Sequence, residues 1–382
     1  MTGTGKYDVL IIGGGVIGLS IARQLKKRGI ARIAVADRGE VGREASYAAA
    51  GMLVPRAEAD SPDEFYRFCA ASCGLYEEFA AELFDETGVD IELDREGTLY
   101  LAFDDKASSE IDRRFAWQSE AGTGVERISA AEILELEPLI SPSVREGLFF
   151  PGDWQVENRK LLNALRRYAD LNGIELLENC EIETVTFESG RASGAAGSRV
   201  KLLADNIVLA TGAWSSLINI GSNRLPVDVR PIKGQIICFR TGTRLLRRII
   251  FGPNGYLVPR SNGRVLAGAT VEDAGFAKNL TVDAVESLRN AAREMAPAFG
   301  SMQIAESWAG LRPAAADGLP VLGGIEGVLG VHVATAHFRN GILLAPITAE
   351  IIADSICSGE VSGYVRSFGV QRFASATATV RG

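Results

Sequence analysis

Two histidines in 382 residues, His332 and His337, leave too few ligands to argue for a zinc site. The five cysteines, Cys69, Cys73, Cys180, Cys238 and Cys357, are odd in number and contain no C-x-x-C, so no disulfide framework is expected. Cys69 and Cys73 lie four apart on an expected helix and read as two small buried apolar residues. No apolar stretch reaches the roughly 18 residues a bilayer span needs. The N-terminus has no charged n-region and its apolar run is cut short by glycines, so no signal peptide is expected. Basic charge is also short: 40 Lys and Arg face 48 Asp and Glu, a net charge of −8. A nucleic-acid partner, which needs a basic face to displace counterions, is therefore not expected. The short clusters Lys26-Lys27-Arg28 and Arg247-Arg248 read as solvated surface. The expectation is a reduced, cytoplasmic chain.

Apolar residues make up 47% of the chain, enough for packed globular cores, and its length favours two domains. The most informative segment is Tyr7-Asp-Val-Leu-Ile-Ile-Gly13-Gly-Gly15-Val-Ile-Gly18, an apolar strand feeding a G-x-G-x-x-G turn. A second apolar run, Ala31-Arg-Ile-Ala-Val-Ala, ends on the acidic Asp37. Gly13 permits the tight turn, Gly15 lets the backbone approach a pyrophosphate, and Gly18 lets helix pack closely on strand. The helix opening at Val16 aims its first amides and its dipole at the phosphates. Asp37 would accept hydrogen bonds from ribose hydroxyls and repel a 2′-phosphate. These residues point to FAD or NAD near the N-terminus.

Further along, Gly42–Met52 is too rich in small residues for a packed core helix, and lets backbone lie against a flat ligand. Residues 64–86 carry apolar side chains at helical spacing, residues 97–103 read as a strand, and the polar stretch Asp104–Glu137 as helices on a separate layer. Val156–Asn172 reads as an amphipathic helix, followed by a strand pattern around Glu175–Val185. Asp205–Thr211 is a buried strand ending at the Gly212 turn, as a central parallel strand returning to the cofactor domain would. Alternating apolar residues across 226–272 indicate an antiparallel sheet of their own. A helix follows at about 281–296, and the block 306–345 ends in a helix Leu343–Ile356. The fold class expected is α/β: a discontinuous Rossmann-type domain from residues 1–86, 150–218 and 306–382, with an inserted α+β domain on an antiparallel sheet from residues 87–149 and 219–305.

Three stretches together resemble a family. Ser46-Tyr-Ala-Ala-Ala-Gly-Met52 resembles the flavin-contacting loop of the D-amino-acid-oxidase-like flavoproteins. Trp308-Ala-Gly-Leu-Arg-Pro313, with Asp317-Gly-Leu-Pro320, and His337-Phe-Arg-Asn-Gly-Ile-Leu-Leu-Ala-Pro346 resemble its glycine oxidase (ThiO) branch. The similarity runs from Tyr7 to about Ile356 and implies FAD. As the resemblance implies, Val16, Ile17, Asp37, Arg38, Ala45 and Ser46 would contact the nucleotide half, alongside Gly13, Gly15 and Gly18. Ala50, Gly51 and Met52 would lie beside the isoalloxazine, and Val185 would meet the adenine side. The turn His337, Phe338, Arg339, Asn340, Gly341, Ile342 and Leu343 would hold the pyrimidine end, with Gly212 also at the cofactor. Arg312 would clamp the substrate carboxylate; Tyr256, Arg339, Met52 and Val271 would line the same pocket. The guanidinium fork suits a carboxylate in a way that lysine's point charge does not. Other readings of single residues stay open: a salt bridge to the C-terminal helix for Arg339, core packing for Tyr256, solvated surface for Glu272 and Asp273.

The chain departs from the family at Ala336, commonly Gly, at Ala314-Ala315, often Gly-Thr, at Ala277, commonly Asp, and at Val271, often larger. These changes broaden the expected substrate to a small amino acid or secondary amine. The resemblance implies oxidation of that amine to an oxo acid and ammonia, with oxygen as electron acceptor and peroxide as product, and a role in making the thiazole of thiamine. No residue is expected to act as acid or base, no metal is expected, and a homo-oligomer is. FAD is expected to be non-covalent, because residues 308–345 hold no cysteine. Two alternatives remain: a D-amino-acid dehydrogenase that passes electrons to a quinone, and a non-catalytic flavin-binding subunit.

Overall fold

In the computed structural model, which describes residues 5–373, the opening apolar run forms strand Tyr7–Ile12 and Gly13 turns it into helix Val16–Lys27. The outermost parts of the first and last expected segments, 1–4 and 374–382, lie outside the described residues. Val9 and Ile11 enter one hydrophobic cluster, Leu10 and Ile12 another, so the strand is covered on both faces. That explains a continuous apolar run where a half-exposed strand would alternate. Strand Ile33–Ala36 lies parallel on one side of it and Val200–Leu209 parallel on the other. Glu175–Leu177 and Val328–Thr335 extend the parallel set outward. Antiparallel strands Thr184–Glu188 and Arg191–Gly197 enlarge this into a ten-stranded sheet. Helices Val16–Lys27, Asn158–Leu171 and Ala345–Cys357 bury apolar faces in the cluster that contains Val9 and Ile11.

The second sheet has eight strands, in the order Ile304–Ala315, Val229–Arg240, Arg264–Gly268, Gly255–Pro259, Ile249–Gly252, Thr98–Ala102, Glu146–Phe150 and Glu126–Ser129. It is antiparallel except where Ile249–Gly252 pairs with Thr98–Ala102. Helix Val282–Met295 packs on one face through Leu288, Ala292 and Met295. Helix Asp105–Glu120 places Ile111 in the cluster on the other. The architecture is the expected Rossmann-type α/β unit with a second unit on a largely antiparallel sheet.

Several elements differ from the sequence reading. Gly42–Met52 holds a one-turn helix, Ala45–Ala48, before a short strand, Met52–Leu53. Residues 64–86 form two helices, Glu64–Gly74 and Tyr76–Thr87, parted at Leu75. Strand Glu126–Ser129 interrupts the stretch read as helices, and the pattern around Glu175–Val185 splits into two strands. The last long helix starts at Ala345 rather than Leu343 because Pro346 fits its first turn. Sheet membership also shifts two expected boundaries. Residues 304–315 lie in the second sheet and the short strands Asn219–Ile220 and Asn223–Arg224 in the first. Among the described residues, no helix is long and apolar enough to cross a membrane.

Candidate active site

A cleft of about 830 Å³ opens at the carboxyl ends of the parallel strands, where Ile12, Ala36, Ala210 and Ala334 line it. That is where open α/β sheets bind ligands. At its first end Gly13 adopts φ +105°, and a Cβ there would sit 2.3 Å from the Ala210 carbonyl oxygen. Gly18 does not line the cleft; its Cβ would fall 2.0 Å from the Gly13 carbonyl oxygen, so its absence is what lets helix meet strand. Helix Val16–Lys27 opens at Gly15 with no side-chain cap of its own and no acid in its first turn. The Val16 amide donates to Ser46 Oγ at 3.0 Å. Asp37 accepts from the amides of Gly14 at 2.8 Å and Gly39 at 2.9 Å, which shapes the turn and holds the carboxylate at the cleft wall. Gly13, Gly15, Val16, Ile17, Asp37, Arg38, Ala45, Ser46 and Gly212 all line this end. Arg38 lies 3.6 Å over the Trp214 ring. A helix start whose first amide is met only by the Ser46 hydroxyl, a side-chain-free turn and a carboxylate at the second strand fit the pyrophosphate and ribose of FAD.

Val185 is placed elsewhere. It is fully buried in the first sheet's core, and the stretch Cys180–Glu183 lines the cleft instead. The one-residue-in-two alternation of a strand sends Val185 inward.

Midway, Ala50, Gly51 and Met52 form one wall. Gly51 sits at φ +70° with its carbonyl taking the Val156 amide at 2.9 Å, and a Cβ would strike the Val156 oxygen at 2.1 Å. The second sheet presses on this segment: Trp308 Nε1 donates to the Ala48 carbonyl at 2.9 Å, and a Cβ on Gly310 would lie 2.6 Å from that of Ala48. The turn His337–Ile342 also lines the cleft, with non-glycine residues at positive φ on either side of His337, Ala336 (+57°) and Phe338 (+46°). The Phe338 amide donates to the Pro313 carbonyl at 2.9 Å. Carbonyls of Ile342 and Leu343 accept from Tyr76 and Ser72, so the turn is held from behind; Leu343 itself is buried and does not reach the cleft. His337 is buried, with its Nε2 3.1 Å from Thr348 Oγ1, and burial pushes its pKa down to about 3. It stays neutral at ordinary pH and offers no base.

At the far end Arg312, Tyr256, Arg339, Met52 and Val271 all line the cleft. Arg312 stands on strand Ile304–Ala315 with its Nη1 donating to the Thr270 carbonyl at 3.0 Å, and Tyr256 lines the same cleft. Burial lowers the Arg312 pKa and raises that of Tyr256. Among the described residues no carboxylate pairs with Arg312. Two strand glycines make the room: a Cβ on Gly234 would meet Arg312 Nη1 at 2.3 Å, and one on Gly268 would meet the Tyr256 hydroxyl at 2.5 Å. Arg339 by contrast is bound, its Nη2 2.7 Å from Glu58 Oε1, and that carboxylate is the main cause raising its pKa. Its salt bridge therefore ties two cleft-lining residues together rather than reaching the C-terminal helix. Val271 is exposed at the mouth. Tyr100 and Phe251, stacked with centroids 6.2 Å apart, add an apolar wall.

Glu272 is not the solvated carboxylate expected: it pairs with buried Lys233 at 2.7 Å and accepts from Gln235 at 2.8 Å, which lowers its pKa against the cost of burial. Asp273 is exposed as expected. The basic surface clusters are tied down too, Arg28 to Asp354 and Arg247 to Glu96. Cys69 and Cys180 line the cleft, yet burial raises both thiols, so neither is a ready nucleophile. Sequence reasoning missed Glu58, Tyr100, Phe251 and the glycines Gly234 and Gly268. The last two carried a legible signal, since a glycine inside a strand marks a close approach.

Comparison with known proteins shows which family the chain resembles. A glycine oxidase of Bacillus licheniformis is 36% identical over 372 residues, covering 96% of this chain and 98% of that one. The bifunctional protein ThiO/ThiG of Synechocystis sp. is 35% identical over 97% of this chain, which spans 54% of that longer protein. The crystal structure of glycine oxidase from Geobacillus kaustophilus superposes with a TM-score of 0.89 at 32% identity, covering 96% of this chain and 99% of that one. The model of the DAO family, described as FAD dependent oxidoreductase, matches residues 8–355. With its dinucleotide turn, its cleft and these matches in accord, the chain belongs to the DAO family of FAD-dependent oxidoreductases.

Proposed function

We propose that this protein oxidises glycine, or a similarly small amino acid or secondary amine, to an oxo acid and ammonia or amine, with oxygen as acceptor and peroxide as product. The observation that carries the reading is Arg312, a partly buried guanidinium at the cleft wall with no carboxylate partner among the described residues. A cation so placed is costly unless a ligand supplies the anion, and its fork matches a carboxylate in two parallel bonds. Tyr256, lining the same cleft, adds a phenol to the same group. Arg339 is neutralised by Glu58, so a single carboxylate satisfies the pocket.

FAD, held by Gly13, Gly15, Val16, Asp37 and Ser46, would supply the two-electron acceptor chemistry that links the substrate to oxygen. The protein's own residues bind and orient. Arg312 and Tyr256 fix the carboxylate, while Met52, Tyr100 and Phe251 present an apolar surface to the rest of the substrate. Neutral His337 and paired Glu58 leave no poised acid–base couple, so catalysis by positioning is the better account. Loss of two hydrogens leaves an imine, which water converts to the oxo acid and ammonia. The glycine oxidase relatives and the bifunctional ThiO/ThiG protein support glycine as substrate and supply of thiamine's thiazole as the destination. We read the first sheet as the cofactor domain and the second as the substrate domain. Homo-oligomeric assembly in the cytoplasm belongs to the same proposal.

A panel of glycine, N-alkyl glycines and small D-amino acids, added to the purified flavoprotein, tests this. Anaerobic bleaching together with peroxide release in air is expected. Bleaching without peroxide would favour a dehydrogenase, and no bleaching by any member would overturn the reading.

A further inference from the structure

Arg260 is an arginine only 3% exposed, placed directly after strand Gly255–Pro259 of the second sheet. Its Nη1 donates to Gln155 Oε1 at 3.0 Å and to the Val156 carbonyl at 2.7 Å. Its Nη2 donates to the Ala50 carbonyl at 2.6 Å and to Asn158 Oδ1 at 3.3 Å. Asn158 in turn donates from Nδ2 to the carbonyls of Ser46 at 2.8 Å and Tyr47 at 3.1 Å. One guanidinium and one amide thus hold three backbone carbonyls of the segment 46–50, the segment that runs along the cleft. Gly51 completes the fit, because a Cβ there would sit 3.0 Å from Arg260 Nη2.

The strand that ends just before Arg260 also carries Tyr256, which lines the cleft with Arg312. Four residues of one strand therefore link the carboxylate clamp at one end to the Ala50–Met52 wall at the other. Glu157, buried beside Arg260 with its Oε2 3.9 Å from Nε, balances the charge, and the four acceptors would be left without a donor if the guanidinium were removed. Its directed bonds fix the wall relative to the strand.

We propose that Arg260 is a positioning residue, locking the Ala50–Met52 wall to the strand that carries Tyr256 and so setting the spacing between the cofactor seat and the Arg312 clamp. The inference rests on the function proposed above. Misplacement of reacting groups by about 1 Å costs on the order of 10²-fold in rate.

Arg260→Met and Arg260→Lys, purified with FAD, test it by two readouts. Visible circular dichroism of the bound flavin is expected to change in both, since the wall beside it moves. Anaerobic reduction at saturating glycine is expected to fall at least tenfold for Arg260→Met and less for Arg260→Lys, while KM stays within about threefold. Should Arg260→Met fail to fold, Asn158→Ala carries the test, with the same split at smaller size. A wild-type dichroism spectrum with a wild-type reduction rate overturns the proposal, and so does a rise in KM that matches the fall in rate. If the wild-type flavin is bleached by no small amine, the functional reading fails instead, and the dichroism change still judges the placement of Arg260.

Discussion

Ala336 holds φ +57° in the turn ahead of His337, a conformation in which an L side chain crowds its own backbone. Glycine relieves about 1–2 kcal/mol of that strain but adds about 0.4–1 kcal/mol of unfolded-chain entropy and deletes a fully buried methyl worth about 0.8 kcal/mol, so Ala336→Gly is expected to leave unfolding free energy within about 0.5 kcal/mol. Urea denaturation reads this directly, and a loss of more than about 1 kcal/mol would contradict the strain. His337 makes a second test at this scale. Its pKa falls from 6.5 to about 3 on folding, so between those values the unfolded chain binds a proton that the folded one does not. Stability therefore declines as pH drops from about 6.5 toward 3, by at most about 1.4 kcal/mol per unit from this group. His337→Gln should flatten that part of the stability profile, and an unchanged slope would mean the imidazole is not buried neutral. The departure at Ala336 was legible in the sequence. Its backbone angle was not, nor was the Arg339–Glu58 pair, whose partners are 281 residues apart. Contacts at that separation are made by the folded chain, not by local pattern.

Strand Val229–Arg240 shows how elements build the site. It runs antiparallel to Ile304–Ala315 with Gly234 opposite Gly310, so both glycines fall where the second sheet meets the cleft. Gly234→Ala would drive a methyl into the Arg312 guanidinium, and is expected to lower kcat/KM for glycine at least tenfold with flavin content unchanged, about 1.4 kcal/mol or more of transition-state binding. Normal kinetics in that variant would place the clamp elsewhere. The segment 272–281 behaves as a strap. Buried Lys233 and Gln235 hold its ends through Glu272, Asn279 and Thr281, while its tip stacks Phe276 on Trp214 with centroids 5.6 Å apart. The exposed Lys278–Glu44 pair at 3.0 Å adds little, since such pairs are worth about 0–1 kcal/mol. The aromatic pair is worth about 0.5–1.5 kcal/mol, so Phe276→Ala should speed FAD release roughly two- to tenfold, read by flavin fluorescence on dilution. Lys278→Ala should do less; the reverse order would refute the strap's packing. Strong periodic elements were read well from sequence: Tyr7–Ile12, Val16–Lys27, Val282–Met295. The strand Glu126–Ser129 escaped because only Ile128 of its four residues is buried, which leaves no alternation to see.

Across the whole molecule, two sheets share one cleft and divide the work. The first supplies the dinucleotide turn at its strand ends, and the second supplies Arg312, Tyr256 and Arg260. The G-x-G-x-x-G turn and the arginine of Trp308–Pro313 were readable because each motif is local. The boundary between units was less so, because strand Ile304–Ala315 carries apolar residues like its neighbours and only pairing assigns it to the second sheet. The cleft-lining thiols Cys69 and Cys180 are both held protonated by burial, so FAD should be non-covalent and acid precipitation should leave the yellow colour in the supernatant. The central claim is the carboxylate clamp. Two charge-assisted bonds contribute roughly 3–6 kcal/mol, so Arg312→Ala should cut kcat/KM for glycine by about 10²–10⁴ while keeping its flavin spectrum. Arg312→Lys should recover part of that loss, since the charge remains without the fork. The decisive measurement is steady-state oxidation of glycine and of a simple amine lacking the carboxylate, by the wild type and Arg312→Ala side by side. Selective loss on glycine, with discrimination between the two substrates abolished, is the predicted result. A flavin-loaded Arg312→Ala that oxidises glycine within threefold of the wild type would contradict the account.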